Sequence, residues 1–230
     1  MDRATVLENV KLWRERLGEA SQKWGGVEIC AVSKTVDAET VNFAYDAGLR
    51  TIGENRVQEL MGKLDSLNPG FEKHIIGSLQ TNKAKYVVEC ADMVQSLDRD
   101  ALAEELSRRA AAAGRVMPVL VQVNLAKEPQ KGGVYAEELH AFLQRCAKLE
   151  GISVRGLMSI MPLAADPEDV RPLFREMRRL FDTYREHPVE NTRMDILSMG
   201  MSGDCIVAAE EGATMIRLGR AIFGARPAKI

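Results

Sequence analysis

A lysine closes the first apolar run of this chain. In "ICAVSKTV", Ile29 to Val36, near-continuous apolar or small residues end in Ser33 and Lys34. A lysine at such a place is either solvated at a strand end or held at the mouth of a cavity with a task. A solvated lysine has a pKa near ~10.4, and burial can lower it by up to ~3–5 units, which makes the amine a nucleophile toward carbonyl compounds. A second group of residues lies near the other end, in "SMGMSGD" (198–204) and "LGRAIFG" (218–224). Gly200, Gly203 and Gly219 let backbone approach an anion closely, Ser202 offers a hydroxyl, and the Ala221–Phe223 turn presents N–H groups. The plain reading of these glycines is that they only make turns. Arg217 is the third signal. In "TMIRL" it shares a face with Met215 and not with Ile216 or Leu218. A guanidinium inside a strand is costly unless it is paired with a carboxylate or bonded to a ligand.

The elements that position these residues alternate. Short apolar runs, read as strands, occur at "VEICAVS", "RTIGE", "KHIIGS", "MVQSL", "VMPVLVQVN", "SVRGLMSI", "MDILSMG" and "TMIRLG". Helical patterns separate them: "AETVNFAYDAG", "ENRVQELMGKLDSL", "TNKAKYVVEC", "RDALAEELSRRAAAAG", "AEELHAFLQRCAKLEG" and "PEDVRPLFREMRRLFDTYRE". An amphipathic N-terminal helix, with Val6, Val10, Trp13 and Leu17 at helical spacing, precedes them and ends near Gly25 and Gly26. Parallel neighbours need a long crossover, which a helix supplies, so eight such units predict a closed (β/α)8 barrel. An open doubly wound sheet is the alternative. No Pro/Gly/Ser-rich linker divides the chain, which predicts one domain over residues 1–230, with residues 1–25 as a helix packed on the barrel.

In a barrel, function sits at the C-terminal ends of the strands, and a phosphate site is frequently built after strands seven and eight. Lys34, the two glycine-containing segments and Arg217 then meet at one mouth. Together they suit pyridoxal 5′-phosphate: the lysine for a Schiff base with its aldehyde, the loops for its phosphate, and the arginine for its pyridine nitrogen. An arginine cannot act as an acid there, so the ring is a weaker electron sink than one paired with aspartate.

Other chemistry falls away. "GMSGD" lacks the final glycine of a nucleophile elbow, because Asp204 stands in its place. His74, His140 and His187 are too few and too scattered for a metal, and the latter two read as helix-surface residues. The methionines at 158, 161, 194, 199 and 201 read as barrel core. The chain has 230 residues, 46% hydrophobic and 28% charged, with a formal net charge of −2, so it carries no general electrostatic footprint for nucleic acid or anionic membrane. Cys30, Cys90, Cys146 and Cys205 lie far apart and read as reduced core residues of a cytoplasmic protein. The acidic, h-region-free N-terminus and the lack of an 18-residue apolar run predict no export and no membrane span.

At these residues the sequence resembles the pyridoxal phosphate homeostasis proteins, single-domain relatives of the alanine racemase N-terminal barrel. The resemblance runs through "AVSKT", "GENRVQE", "HIIGSLQTNK", "QVNLAKEPQKGG", "RGLMSI", "LSMGMSGD" and "TMIRLGRAIFGAR", in order and over nearly the whole chain. It implies a (β/α)8 barrel carrying pyridoxal phosphate on Lys34, with Asn55 nearby and Arg217 at the pyridine nitrogen. The phosphate would be held around Gly200, Met201, Ser202, Gly219 and Arg220. Arg220 departs from the family pattern, in which a small hydroxyl residue is common. Its side chain either adds a charge-assisted bond to the phosphate or points outward, leaving the backbone N–H to serve the site.

The resemblance also implies what is missing. Alanine racemase uses a second base, a tyrosine from a second domain of the partner subunit. This chain stops at Ile230, and Tyr45, Tyr86, Tyr135 and Tyr184 fall in predicted helices or at a helix start. The expected function is therefore a non-enzymatic, monomeric cofactor carrier that buffers pyridoxal phosphate and supports B6 and amino-acid balance, meeting apoenzymes transiently. Lys83 and Lys85 in "LQTNKAK" form either a second cationic patch near the mouth or a solvated helix face. The alternatives are an amino-acid racemase or other pyridoxal-phosphate enzyme, and a cofactor-free Schiff-base lyase acting through Lys34.

Overall fold

The computed structural model describes residues 1–128 and 130–225. Eight parallel strands close on themselves in chain order: β1 (Glu28–Val32), β2 (Thr51–Glu54), β3 (Glu72–Ile75), β4 (Met93–Leu97), β5 (Met117–Val123), β6 (Ile152–Ser159), β7 (Thr192–Met201) and β8 (Met215–Leu218). Closure is made by β1 and β8, where Cys30 pairs with Arg217. The fold is a closed (β/α)8 barrel, and the open-sheet alternative is excluded by that closure.

The helices are α1 (Arg3–Ala20), α2 (Ala38–Asp46), α3 (Val57–Lys63), α4 (Ala84–Cys90), α5 (Asp100–Ala112), α6 (Leu139–Cys146), α7 (Arg171–Glu186), α8 (Cys205–Glu210) and α9 (Arg220–Phe223). Several are shorter than their sequence patterns, because one turn of the pattern is 3₁₀: Leu64–Ser66 follows α3, while Thr81–Lys83, Ala136–Glu138 and Pro167–Val170 precede α4, α6 and α7. Asp37 starts α2 by accepting from the Thr40 N–H (2.8 Å) and hydroxyl (2.9 Å). Gly48 and Gly114 follow α2 and α5 with φ of 86° and 65°, the left-handed conformation that ends a helix without a Cβ penalty. The N-terminal helix is tied to the barrel wall: Asn9 donates to Ile222 O (3.0 Å), and Arg14 donates to Ala47 O (2.8 Å) and Gly48 O (2.7 Å).

Strand alternation divides the core. Outward residues such as Ala31, Ile52, Val94, Leu157, Ile216 and Leu218 pack under the helices. Inward residues form two small clusters, Cys30, Val32, Ile76 and Met215, and Met93, Leu120 and Met158. Arg217 is on the Met215 face, as its alternation predicts. Met158 is interior, while Met161, Met194 and Met199 belong to the outer layer. All four cysteines are free and buried. Among the described residues no helix is long and apolar enough to cross a membrane.

Candidate functional site

A cavity of about 670 Å³ opens at the C-terminal ends of the strands. Lys34, Asn55, Met201, Ser202, Arg217, Gly219 and Arg220, proposed from the sequence as one site, all line it. Gly200, Lys83 and Lys85 do not appear in its wall. Gly200 (φ 90°) is constrained from behind, because a Cβ there would meet the Ala208 Cβ at 2.5 Å and the Ile216 Cδ1 at 2.8 Å. Lys83 and Lys85 flank the Tyr86 ring, with Nζ 5.8 and 4.6 Å from its centroid.

Lys34 lies in a turn two residues beyond β1, and this turn is gripped on both sides. On the Ser33 side, the Ser33 hydroxyl donates to Glu54 Oε1 (2.8 Å), and Lys63 Nζ bridges Glu54 Oε1 (2.7 Å) and Ser33 O (2.8 Å). On the far side, the Thr35 N–H donates to Glu59 Oε2 (3.3 Å). Thr35 has φ of 62°, a left-handed conformation rarely adopted by a β-branched residue and of the kind retained where surroundings over-determine it. Burial pushes the Glu54 carboxyl up, against the pull of Lys63 and the Ser33 hydroxyl, and the neighbouring Glu59 adds to the rise. Its second oxygen, Oε2, is buried without a hydrogen-bond partner among the described residues.

Arg217 is fully enclosed. Its Nη1 donates to Ser198 O (2.8 Å) and Ser198 Oγ (2.7 Å), and its Nη2 to Ser159 O (2.7 Å). Among the described residues no carboxylate pairs with it. Among these residues the buried salt bridge of the first sequence reading is not seen, and they offer no acceptor to one Nη2 hydrogen and the Nε hydrogen. Burial lowers the guanidinium to about 10, while Cys30 and Asp204 act in the opposite direction, so it remains charged at neutral pH. The same burial pushes the Cys30 thiol up to about 12, against the effect of Arg217.

The loops after β7 and β8 complete one wall. Among the described residues, the N–H groups of Ser202, Gly203, Arg220 and Ala221 have no protein acceptor. Three of these residues, Ser202, Gly203 and Arg220, line the cavity, and a Cβ on Gly203 would meet nothing within 4 Å. Asp204 shapes this loop by accepting from the Met201 N–H (2.6 Å). Burial raises its carboxyl, opposed by that bond and by Arg217. Asn55 is brought against the β3 loop by Gly77, where a Cβ would stand 2.5 Å from the Asn55 carbonyl oxygen. Arg220, the first residue of α9, is exposed at the rim.

Sequence reasoning missed the opposite wall. Gln122, Lys131 and Gly132 line it, as do Ile160, Met161, Pro162, Leu163 and Ala164 from the loop after β6. Lys131 Nζ donates to Met161 O (3.0 Å) and pairs with Glu128 (2.5 Å), tying the loops after β5 and β6 together. The sequence signal was a lysine in the loop after a strand, the same signal that marked Lys34. Asp204 was noticed only as a misfit in a hydrolase motif.

Residues 1–227 match the family model described as alanine racemase, N-terminal domain, the class of barrel that this fold defines. Within that class the chain belongs to the pyridoxal phosphate homeostasis protein family. It is 44% identical over 218 residues to the Aquifex aeolicus pyridoxal phosphate homeostasis protein, covering 92% of this chain and 94% of that one. The Escherichia coli protein of the same name is 35% identical over 229 residues, covering 96% and 97%. PipY of Synechococcus elongatus, whose structure is solved with pyridoxal phosphate bound, superposes with a TM-score of 0.85 at 37% identity, covering 95% of this chain and all of that one. Alanine racemase from Corynebacterium glutamicum shares the fold alone, at TM-score 0.73 and 18% identity over 98% of this chain and 62% of that one.

Proposed function

We propose that this chain is a pyridoxal 5′-phosphate carrier and buffer that acts in the cytoplasm as a single-domain monomer without robust catalytic turnover. The observation that carries the reading is the meeting, in one cavity, of a lysine at a strand end, a wall of N–H donors and a buried arginine, the donors without acceptors and the arginine without a carboxylate partner among the described residues. These donors fit the group: an amine for an aldehyde, N–H groups and the Ser202 hydroxyl for a phosphate, and a guanidinium edge for a ring nitrogen. When bound, the cofactor supplies an electrophilic aldehyde and a ring that withdraws electrons.

Lys34 supplies the nucleophilic amine, and the Glu54, Lys63 and Glu59 side chains hold its turn in place. Ser202, Gly203 and Arg220 bind the anion, and Asn55 supports the same wall. Arg217 donates a hydrogen bond without giving up its proton, which leaves the ring a weak electron sink. Among the described residues no tyrosine lines the cavity, and the reading expects no second base of the kind that racemisation uses. Names of the relatives support a homeostatic role, with transient delivery to apoenzymes.

The test combines transfer with turnover. Protein loaded with pyridoxal phosphate is mixed with an apoenzyme that needs it, and separately with amino acids in deuterated solvent. Recovery of the apoenzyme's activity without α-hydrogen exchange above that of free cofactor supports the carrier. Multiple-turnover exchange that disappears in Lys34→Ala overturns it in favour of an enzyme.

A further inference from the structure

One polar column crosses the barrel interior. It begins at Arg217 on β8, whose Nη1 donates to Ser198 Oγ on β7 (2.7 Å). The Ser198 hydroxyl donates in turn to Gln95 Oε1 on β4 (2.7 Å), and Gln95 Nε2 donates to His74 Nδ1 on β3 (2.8 Å). His74 Nε2 then lies 3.6 Å from Glu72 Oε2, an electrostatic contact at the opposite, N-terminal end of the barrel. Ser198, Gln95, His74 and Arg217 are all buried, whereas the Glu72 side chain is 69% exposed.

The chain has one direction. With the Gln95 amide oxygen on Ser198, its Nε2 donates to His74 Nδ1, the arrangement of the tautomer whose proton is on Nε2, facing Glu72. Every donated hydrogen therefore points away from the cavity. This direction matters to Arg217. Ser198 Oγ can accept from the guanidinium only if its own hydrogen is directed elsewhere, and Gln95 Oε1 is the acceptor that takes it. If Gln95 is lost, the serine hydroxyl loses the acceptor for its hydrogen, and if the amide is reversed, Nε2 donates to Ser198 Oγ and competes with the guanidinium for it.

We propose that Gln95 and His74 are positioning residues that act through Ser198 to fix the Arg217 guanidinium facing the cavity. Neither lines the cavity, and neither needs to touch a ligand. The inference rests on the pyridoxal phosphate reading of the site, in which the orientation of Arg217 sets its bond to the ring nitrogen. A buried network of this kind is expected to be cooperative, so that breaking a distant link is felt at its end.

The experiment measures pyridoxal phosphate affinity, the pH midpoint of the yellow-to-colourless transition of the bound cofactor, and thermal stability in wild type and four variants. Gln95→Met removes both links at similar volume, His74→Leu removes the Nδ1 acceptor, and Ser198→Ala removes the hydroxyl. His74→Asn places an amide oxygen where Nδ1 stood and preserves the acceptor. The first three are expected to bind about tenfold more weakly with a shifted midpoint, and His74→Asn to stay within about threefold of wild type. Gln95→Met and His74→Leu with wild-type affinity and midpoint, whatever their stability, would overturn the proposal, as would His74→Asn as impaired as His74→Leu. Should the first two fail to fold, an unchanged Ser198→Ala overturns it alone. A wild type that takes up no cofactor refutes the site reading instead, a result distinct from any pattern among the variants.

Discussion

The two walls of the cavity are built from different materials. The wall after β7, β8, β1 and β2 is made of backbone donors, a buried cation and a lysine turn gripped by carboxylates. The opposite wall sets Gln122 and Lys131 beside an apolar loop after β6, whose Leu163 is almost wholly in solvent, at 99% exposure. Polar groups enclosed without partners are costly, so the first wall is held by a dense set of side-chain bonds. Exposed apolar side chains need no such support. The first wall is therefore suited to gripping an anion and an aldehyde, and the second to shaping the opening.

Substitutions should separate the walls in order of size. Glu54→Leu leaves Lys63 and Ser33 without their common acceptor, and breaking a buried ion pair in this way costs about 3 kcal/mol, read by urea or thermal unfolding. Arg217→Met removes the charged donor and should weaken pyridoxal phosphate binding by about 2 kcal/mol, roughly thirtyfold, in an absorption titration. Ser202→Ala forfeits one hydroxyl bond, about 1 kcal/mol or roughly fivefold in the same titration.

Asp204→Asn acts in the opposite direction. Burial raises the Asp204 carboxyl, so its negative charge appears beside the cradle only as pH rises through that raised value, and anion binding should fall there. An asparagine keeps an oxygen for the Met201 N–H but never ionises. Its affinity for pyridoxal phosphate should exceed wild type by about threefold at the alkaline end of a titration and converge with it at the acid end. The smallest effect belongs to the second wall: Leu163→Ser should change stability by less than about 0.5 kcal/mol and affinity by less than about twofold. A large loss in Leu163→Ser would erase the contrast between the walls.

The sequence made much of the first wall legible, for a physical reason. Parallel strands buried on both faces are continuous apolar runs, so Lys34 at the end of one and Arg217 within another are conspicuous. The same period-two logic marks His74 in "KHIIGS" and Gln95 in "MVQSL" as polar groups in buried strands, but it cannot show that they meet Ser198. Lys131 and Asp204 were hidden differently, since each reaches the cavity through loop geometry that no periodicity encodes. The 3₁₀ turns beside α3, α4, α6 and α7 were equally silent, because 3₁₀ and α turns share their residue preferences at helix ends.

The central claim is that Lys34 holds pyridoxal phosphate covalently in this cavity. The most direct test is the visible absorption of wild type and Lys34→Ala with the cofactor, followed by borohydride reduction and peptide mass mapping. The account predicts a yellow wild type with a phosphopyridoxyl group on Lys34 and no such label in the variant. A wild type that stays colourless with added cofactor, or a label fixed on another lysine while Lys34 remains unmodified, would contradict it.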